Sequence, residues 1–235
     1  MNKYPFPINI TRFAFLRHEI DRLIFLSALF STGLVLIRIG HTGHMTFLSL
    51  IWNLFLAWLP YCISGVINGF HLFGRSRWIF WSMFVLWILF IPNSFYILTD
   101  LFHLEDDTND FLVPLWYDLI LIVSIAWNGL VMGILSIRQM EKLFHSNLNL
   151  KTDLIFLFPV MLLNGLGVYV GRYLRYNSWD IFINPFELIR DITIMLLHPL
   201  KYHDAWGMIS CFTILLMLIY GMLKKLSQHQ LFEAK

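Results

Sequence analysis

Six stretches of this chain, at about 22–38, 47–73, 78–98, 112–137, 152–174 and 204–223, run for the length of a bilayer with few charges inside them. An α-helix needs about 20 mainly apolar residues to cross the hydrocarbon core. Every backbone N–H and C=O must also find its partner without water there, which a helix achieves within one segment. The expected fold is therefore all-α: a polytopic membrane helix bundle of about six transmembrane helices, forming a single domain over residues 1–235. Composition closes the soluble alternative. The chain is 58% hydrophobic and 14% charged, whereas soluble domains carry about 25% charged residues.

The first stretch is near the upper length of a signal-peptide core, but a long polar lead precedes it, so it reads as a retained span. A further apolar run, "ITIMLLHPL" (Ile192 to Leu200), is too short to cross. Together with the preceding "NSWDIFINPFELIRD" it reads as an outer interfacial or re-entrant helix over about 179–200, closed by Pro199. Cys62 and Cys211 lie inside apolar runs and make no disulfide framework. A net charge of +2, with no basic run carrying interleaved aromatics, gives no nucleic-acid surface. Membrane lipid is the expected partner, and no pattern specifies a protein partner or a homo-oligomer.

Basic residues set the orientation. With the N-terminus in the cytoplasm, only Arg38, Arg172, Arg175, Arg190 and Lys201 of the 17 Lys and Arg fall outside. Both termini are then cytoplasmic. In this topology Asp100, Asp118 and Arg172 each stand about 28–33 Å from the inner end of their helix, at 1.5 Å per residue, and so reach one outer level. Asn93, Tyr96, Asp100 and His103 add a stripe at three/four spacing. Either these residues form the lip of a site or they mark where helices leave the bilayer.

The site reading joins Asn53, Asn93, Asp100, His103, Asp118, Arg172, Arg175, Asn177 and Asp180 into an outer-face polar pocket. Arginine's planar fork suits an anionic headgroup, so Asn53, Asn93, Arg172, Arg175, Asn177 and Asp180 are the expected substrate contacts. The arginines are equally suited to pair with Asp100 or Asp118. For chemistry, Asp118 and His103 are the proton-transfer candidates. Asp100, His103 and Asp118 are the donors a divalent metal would take. No Gly-rich phosphate loop, nucleophile elbow or kinase signature assigns a reaction.

Deeper in the membrane, Asn53, Ala57, Pro60, Ser64, Asn68 and His71 form a stripe along the second span. Asn128 and Asn164 lie in the fourth and fifth. Such groups serve as interhelical hydrogen-bond glue or line a path for a small solute. Gly167-x-x-x-Gly171 points to close helix packing.

The segments "NLFLAWLPY" (Asn53 to Tyr61), "FIPNSFYILTDLFHL" (Phe90 to Leu104), "WYDL" (Trp116 to Leu119) and "GVYVGRYLRYNSWD" (Gly167 to Asp180) carry a family resemblance. From about Phe47 to Leu223 the chain resembles a bacterial family of multi-pass membrane proteins, domain of unknown function thirteen sixty-one. The resemblance implies a bacterial cytoplasmic (inner) membrane protein and carries no reaction, substrate or cofactor. Three functions follow from the sequence as expectations. The first is binding or processing of an anionic lipid or lipid-linked substrate at the outer pocket. The others are transport of a small solute and a non-catalytic membrane assembly role through the acidic loop Glu105 to Asp110.

Overall fold

The computed structural model describes residues 19–45, 47–69, 76–102, 113–148, 153–176 and 180–233. Among these residues the chain forms α1 (Glu19–Thr42), α2 (Leu48–Gly69), α3 (Arg77–Tyr96), α4 (Leu115–Leu148), α5 (Asp153–Arg172), α6 (Asp180–Ile183), α7 (Pro185–Leu197) and α8 (His203–Glu233). A 3₁₀ segment, Ile97–Phe102, continues α3. All but α6 and α7 are long and apolar enough to cross a membrane, with span hydropathies of 1.7 to 2.2. The expected multi-pass helical bundle is what the chain forms. Where the sequence suggests one interfacial helix, there are two short ones, because Pro185 begins a new helix after Asn184.

α4 is the central column. Of its membrane-length window 67% is buried, against 22% for α1 and for α8. Leu121, Ile122, Ile125 and Ile137 on α4 are fully enclosed, with α1 and α2 on one flank and α3, α5 and α8 on the other. α4 also runs well past residue 137, where its apolar pattern stops. Its 34 residues span about 51 Å, more than the ~30 Å hydrocarbon core. Contacts with α8 hold the extra turns. Lys224 donates to Glu141 (2.8 Å), the Tyr220 hydroxyl donates to the same carboxylate, and Arg138 donates to Ser227 (3.1 Å).

The polar stripe of α2 is consumed by packing. Ser94 of α3 donates to the Ala57 carbonyl (2.9 Å), and Ser136 of α4 donates to the Pro60 carbonyl (2.8 Å) while accepting from Trp87 (2.8 Å). Ser64 donates to Gln139 (2.9 Å), and Asn68 to the Ser64 carbonyl (2.8 Å). Asn128 likewise donates to Ser31 of α1 (3.0 Å). In hydrocarbon an unpaired polar group is costly, so these bonds fix how α2, α3 and α4 face one another. Below Asn53 the stripe acts as glue between helices. His71 lies outside the described residues.

Candidate functional site

At the face opposite the N-terminal end of α1, the bundle holds a cavity of about 230 Å³ between α2, α3, α5 and α7. Its deepest α5 residue, Leu163, lies nine residues before Arg172, so the cavity extends about 13.5 Å below the helix end, roughly one leaflet. Most of the wall is apolar. Asn53, Asn93, Tyr96 and Tyr176 supply its polar side chains. Asn53 and Asn93 keep part of their surface exposed.

Local sequence explains why a cavity forms here. Pro60 and Pro92 lie within α2 and α3. A proline has no N–H for the carbonyl four residues before it, which at these sites means Leu56 and Ile88. Both belong to the cavity wall. Gly167 and Gly171 bring α5 against α3. A Cβ at Gly167 would overlap the Pro92 ring, meeting its Cγ at 2.7 Å, and one at Gly171 would lie 2.9 Å from the Tyr96 ring. The fourth wall comes from α7, whose Leu188 and Ile192, one turn apart, close the space. Met195, one turn further, is buried on Ala205 and Ile209 of α8 and so seats the helix.

Each of three polar wall residues is held by a charged side chain standing behind it. Asn53 Nδ2 donates to Asp100 Oδ2 (3.1 Å). The Arg172 guanidinium stands beside Tyr96 and lies 5.4 Å over the Phe102 ring. The Tyr176 hydroxyl donates to Asp191 Oδ2 of α7 (2.9 Å). That bond raises the tyrosine's pKa above its ordinary value, because ionisation would place a phenolate against a carboxylate.

Of the residues expected from sequence, Asn53 and Asn93 line the cavity, with Asp100 and Arg172 directly behind the wall. Arg175 is exposed at the rim, in a left-handed conformation (φ 58°). That turn folds the chain after α5 so that the Tyr176 N–H returns to the Val170 carbonyl (3.3 Å). Asp180 opens α6 and is not among the wall residues. His103 and Asn177 lie outside the described residues. Asp100 leaves the Asn93–Tyr96 stripe because the chain tightens to 3₁₀ after Tyr96. Four 3₁₀ residues turn about 480° rather than 400°, carrying Asp100 about 80° round toward α2.

Asp118 belongs elsewhere. Both its oxygens are taken by Arg38 of α1, Nε to Oδ1 at 2.6 Å and Nη2 to Oδ2 at 3.1 Å, with the two side chains 1% and 6% exposed. Arg38 also stacks over Phe47 (4.0 Å). The sequence carried a signal for this pair: Arg38 is a lone cation in the apolar run "GLVLIRIG" and needs a partner. No group of three His, Cys, Asp or Glu side chains suited to a metal occurs among the described residues, a set that does not include His103. Tyr176, Leu188 and Ile192 are wall residues that the sequence alone does not single out.

A family model described as "Protein of unknown function (DUF1361)" matches residues 52–219. All the cavity's wall residues fall inside that range, while Arg38 lies before it. No curated protein and no solved structure matches the chain.

Proposed function

The chain belongs to the DUF1361 family of proteins of unknown function, and from that premise we propose that it binds an amphipathic lipid or lipid-linked molecule in the α2–α3–α5–α7 cavity. The observation that carries this reading is the cavity's construction. It has an apolar interior one leaflet deep, polar groups among its walls, and a wall made by a short helix lying between two spans. Membrane ligand sites of this kind form where proline and glycine interrupt regular helix packing. By the distribution of basic residues this face is the outer one, in the bacterial inner membrane that the family resemblance implies. The rim residue Arg175 is placed to meet an anionic part of such a ligand, with Asn53 and Asn93 as inner contacts and Arg172 behind the wall at Tyr96. Asp118, held by Arg38, acts as an anchor for α1 rather than as a base or metal ligand. The polar groups along α2 and α4 are spent on one another, which favours a site on one face over a solute path across the membrane.

The reading is tested by filling the cavity. Protein purified in a mild detergent and analysed by native mass spectrometry should carry a stoichiometric lipid. Leu163→Trp, which places an indole in the apolar interior, should release it without loss of folding. Retention of the same lipid at the same stoichiometry in Leu163→Trp would refute the reading.

A further inference from the structure

We infer that the part of the ligand seated inside the cavity is a neutral, hydroxyl-bearing head, a glycerol or sugar unit carried on an aliphatic chain. The inference rests on the reading of the cavity as an amphiphile site. It comes from the hydrogen-bonding character of the wall. Asn53 gives an N–H to Asp100, which strengthens its amide oxygen as an acceptor. Tyr176 gives its only proton to Asp191, so its oxygen can only accept. Pro60 and Pro92 deprive the Leu56 and Ile88 carbonyls of their helical donors, and both residues belong to the wall. Tyr96 stands the other way round. Among the described residues no carboxylate holds its proton, so its hydroxyl can donate to a ligand as well as accept.

The wall therefore mixes acceptor oxygens with donors, since the Asn53 and Asn93 amides carry N–H groups as well as oxygens, and it takes no charged side chain into its lining. A phosphate dianion or carboxylate brings only acceptors and a negative charge to such a wall, and would leave the Asn53 and Tyr176 oxygens without a donor. A vicinal diol brings two donors and two acceptors and can satisfy carbonyls and phenol together. Any anionic group on the same molecule would remain at the rim with Arg175. Asp100, Asp191 and Arg172 are thus positioning residues: they set the direction in which each wall group bonds.

The test is binding of defined lipids to the full chain in nanodiscs. The probes are monooleoylglycerol and dodecyl glucoside, each with hydroxyls, against methyl oleate with none and oleyl phosphate with an anion only. Monooleoylglycerol or the glucoside should bind about tenfold or more tighter than methyl oleate and oleyl phosphate, from one to two hydrogen bonds gained. The tighter of the two identifies glycerol or sugar as the source of the head. Asp191→Asn and Tyr176→Phe should each weaken the hydroxylated probe about three- to tenfold and leave methyl oleate unchanged, a ratio that a purely structural role would not move. Oleyl phosphate or methyl oleate binding as tightly as both hydroxylated probes would overturn the inference while sparing the cavity reading. Failure of every probe, with Leu163→Trp indistinguishable from wild type, would overturn both.

Discussion

Replacing Arg38 by methionine should be among the most damaging single changes in the molecule, and replacing its partner as well should undo most of the damage. The two side chains are 1% and 6% exposed and share two hydrogen bonds. Arg38→Met leaves the Asp118 carboxylate buried with its cation gone. Breaking one side of a buried pair costs about 3–5 kcal/mol. For a chain of this size each kcal/mol moves the midpoint of thermal unfolding by about 2–4 °C, so the loss should be about 6–20 °C. The double variant Arg38→Met/Asp118→Leu removes both charges and keeps apolar volume, and replacing a buried pair in this way is often close to neutral. Thermal unfolding of the four proteins in one detergent gives the complete cycle. A single-variant shift below about 2 °C, the size expected of an exposed pair, would refute the reasoning. So would a double variant that loses the sum of the two singles.

Gly167→Ala should destabilise by about 1–3 kcal/mol, because its Cβ would meet the Pro92 ring and force α3 from α5. Gly33→Ala, with nothing within 4 Å of the added carbon, should be neutral or gain up to about 1 kcal/mol of helix propensity; thermal unfolding separates the two. Arg175→Gly should raise the midpoint by the equivalent of up to about 1 kcal/mol, since glycine adopts the φ of 58° found there without steric strain. The Tyr176–Asp191 latch should be pH-dependent. A raised tyrosine pKa means that the folded state holds the proton more tightly, so the latch is intact below about pH 10 and is lost as pH rises through the higher folded value. A spin label at position 193 of α7 should gain mobility only above pH 10, and in Tyr176→Phe its mobility should no longer vary with pH in that range.

The fold was legible because lipid leaves so few choices. Span length and apolarity located α1, α2, α3 and α5 to within several residues and fixed the start of α8, which runs ten residues past the expected end at 223. The reach of α4 was not legible, since Arg138 and Glu141 read as a helix leaving the membrane until their partners on α8 are known. Helical spacing puts Asn53 and Asn93 on inward stripes and Asp100 on the stripe of Asn93 and Tyr96, from which the 3₁₀ tightening after Tyr96 turns it; nothing local announces that tightening. Tyr176 and the α7 wall are products of tertiary folding: two residues that meet across a left-handed turn at Arg175 leave no periodic trace. Arg38 was visible as an isolated charge, but its choice of Asp118 over any other acid depends on which helices touch.

The distance along the chain between Arg38 and Asp118, 80 residues, has a consequence for biosynthesis. At about 5–20 residues per second, α1 emerges some 4–16 s before the carboxylate that will receive its guanidinium. During that interval Arg38 cannot rest where it finally lies. Its place in the last turns of α1 lets the long side chain reach up to the headgroup layer and wait there. Its partner carboxylate exists only once α4 has been made, so the pair can close only when the first and fourth helices are brought together.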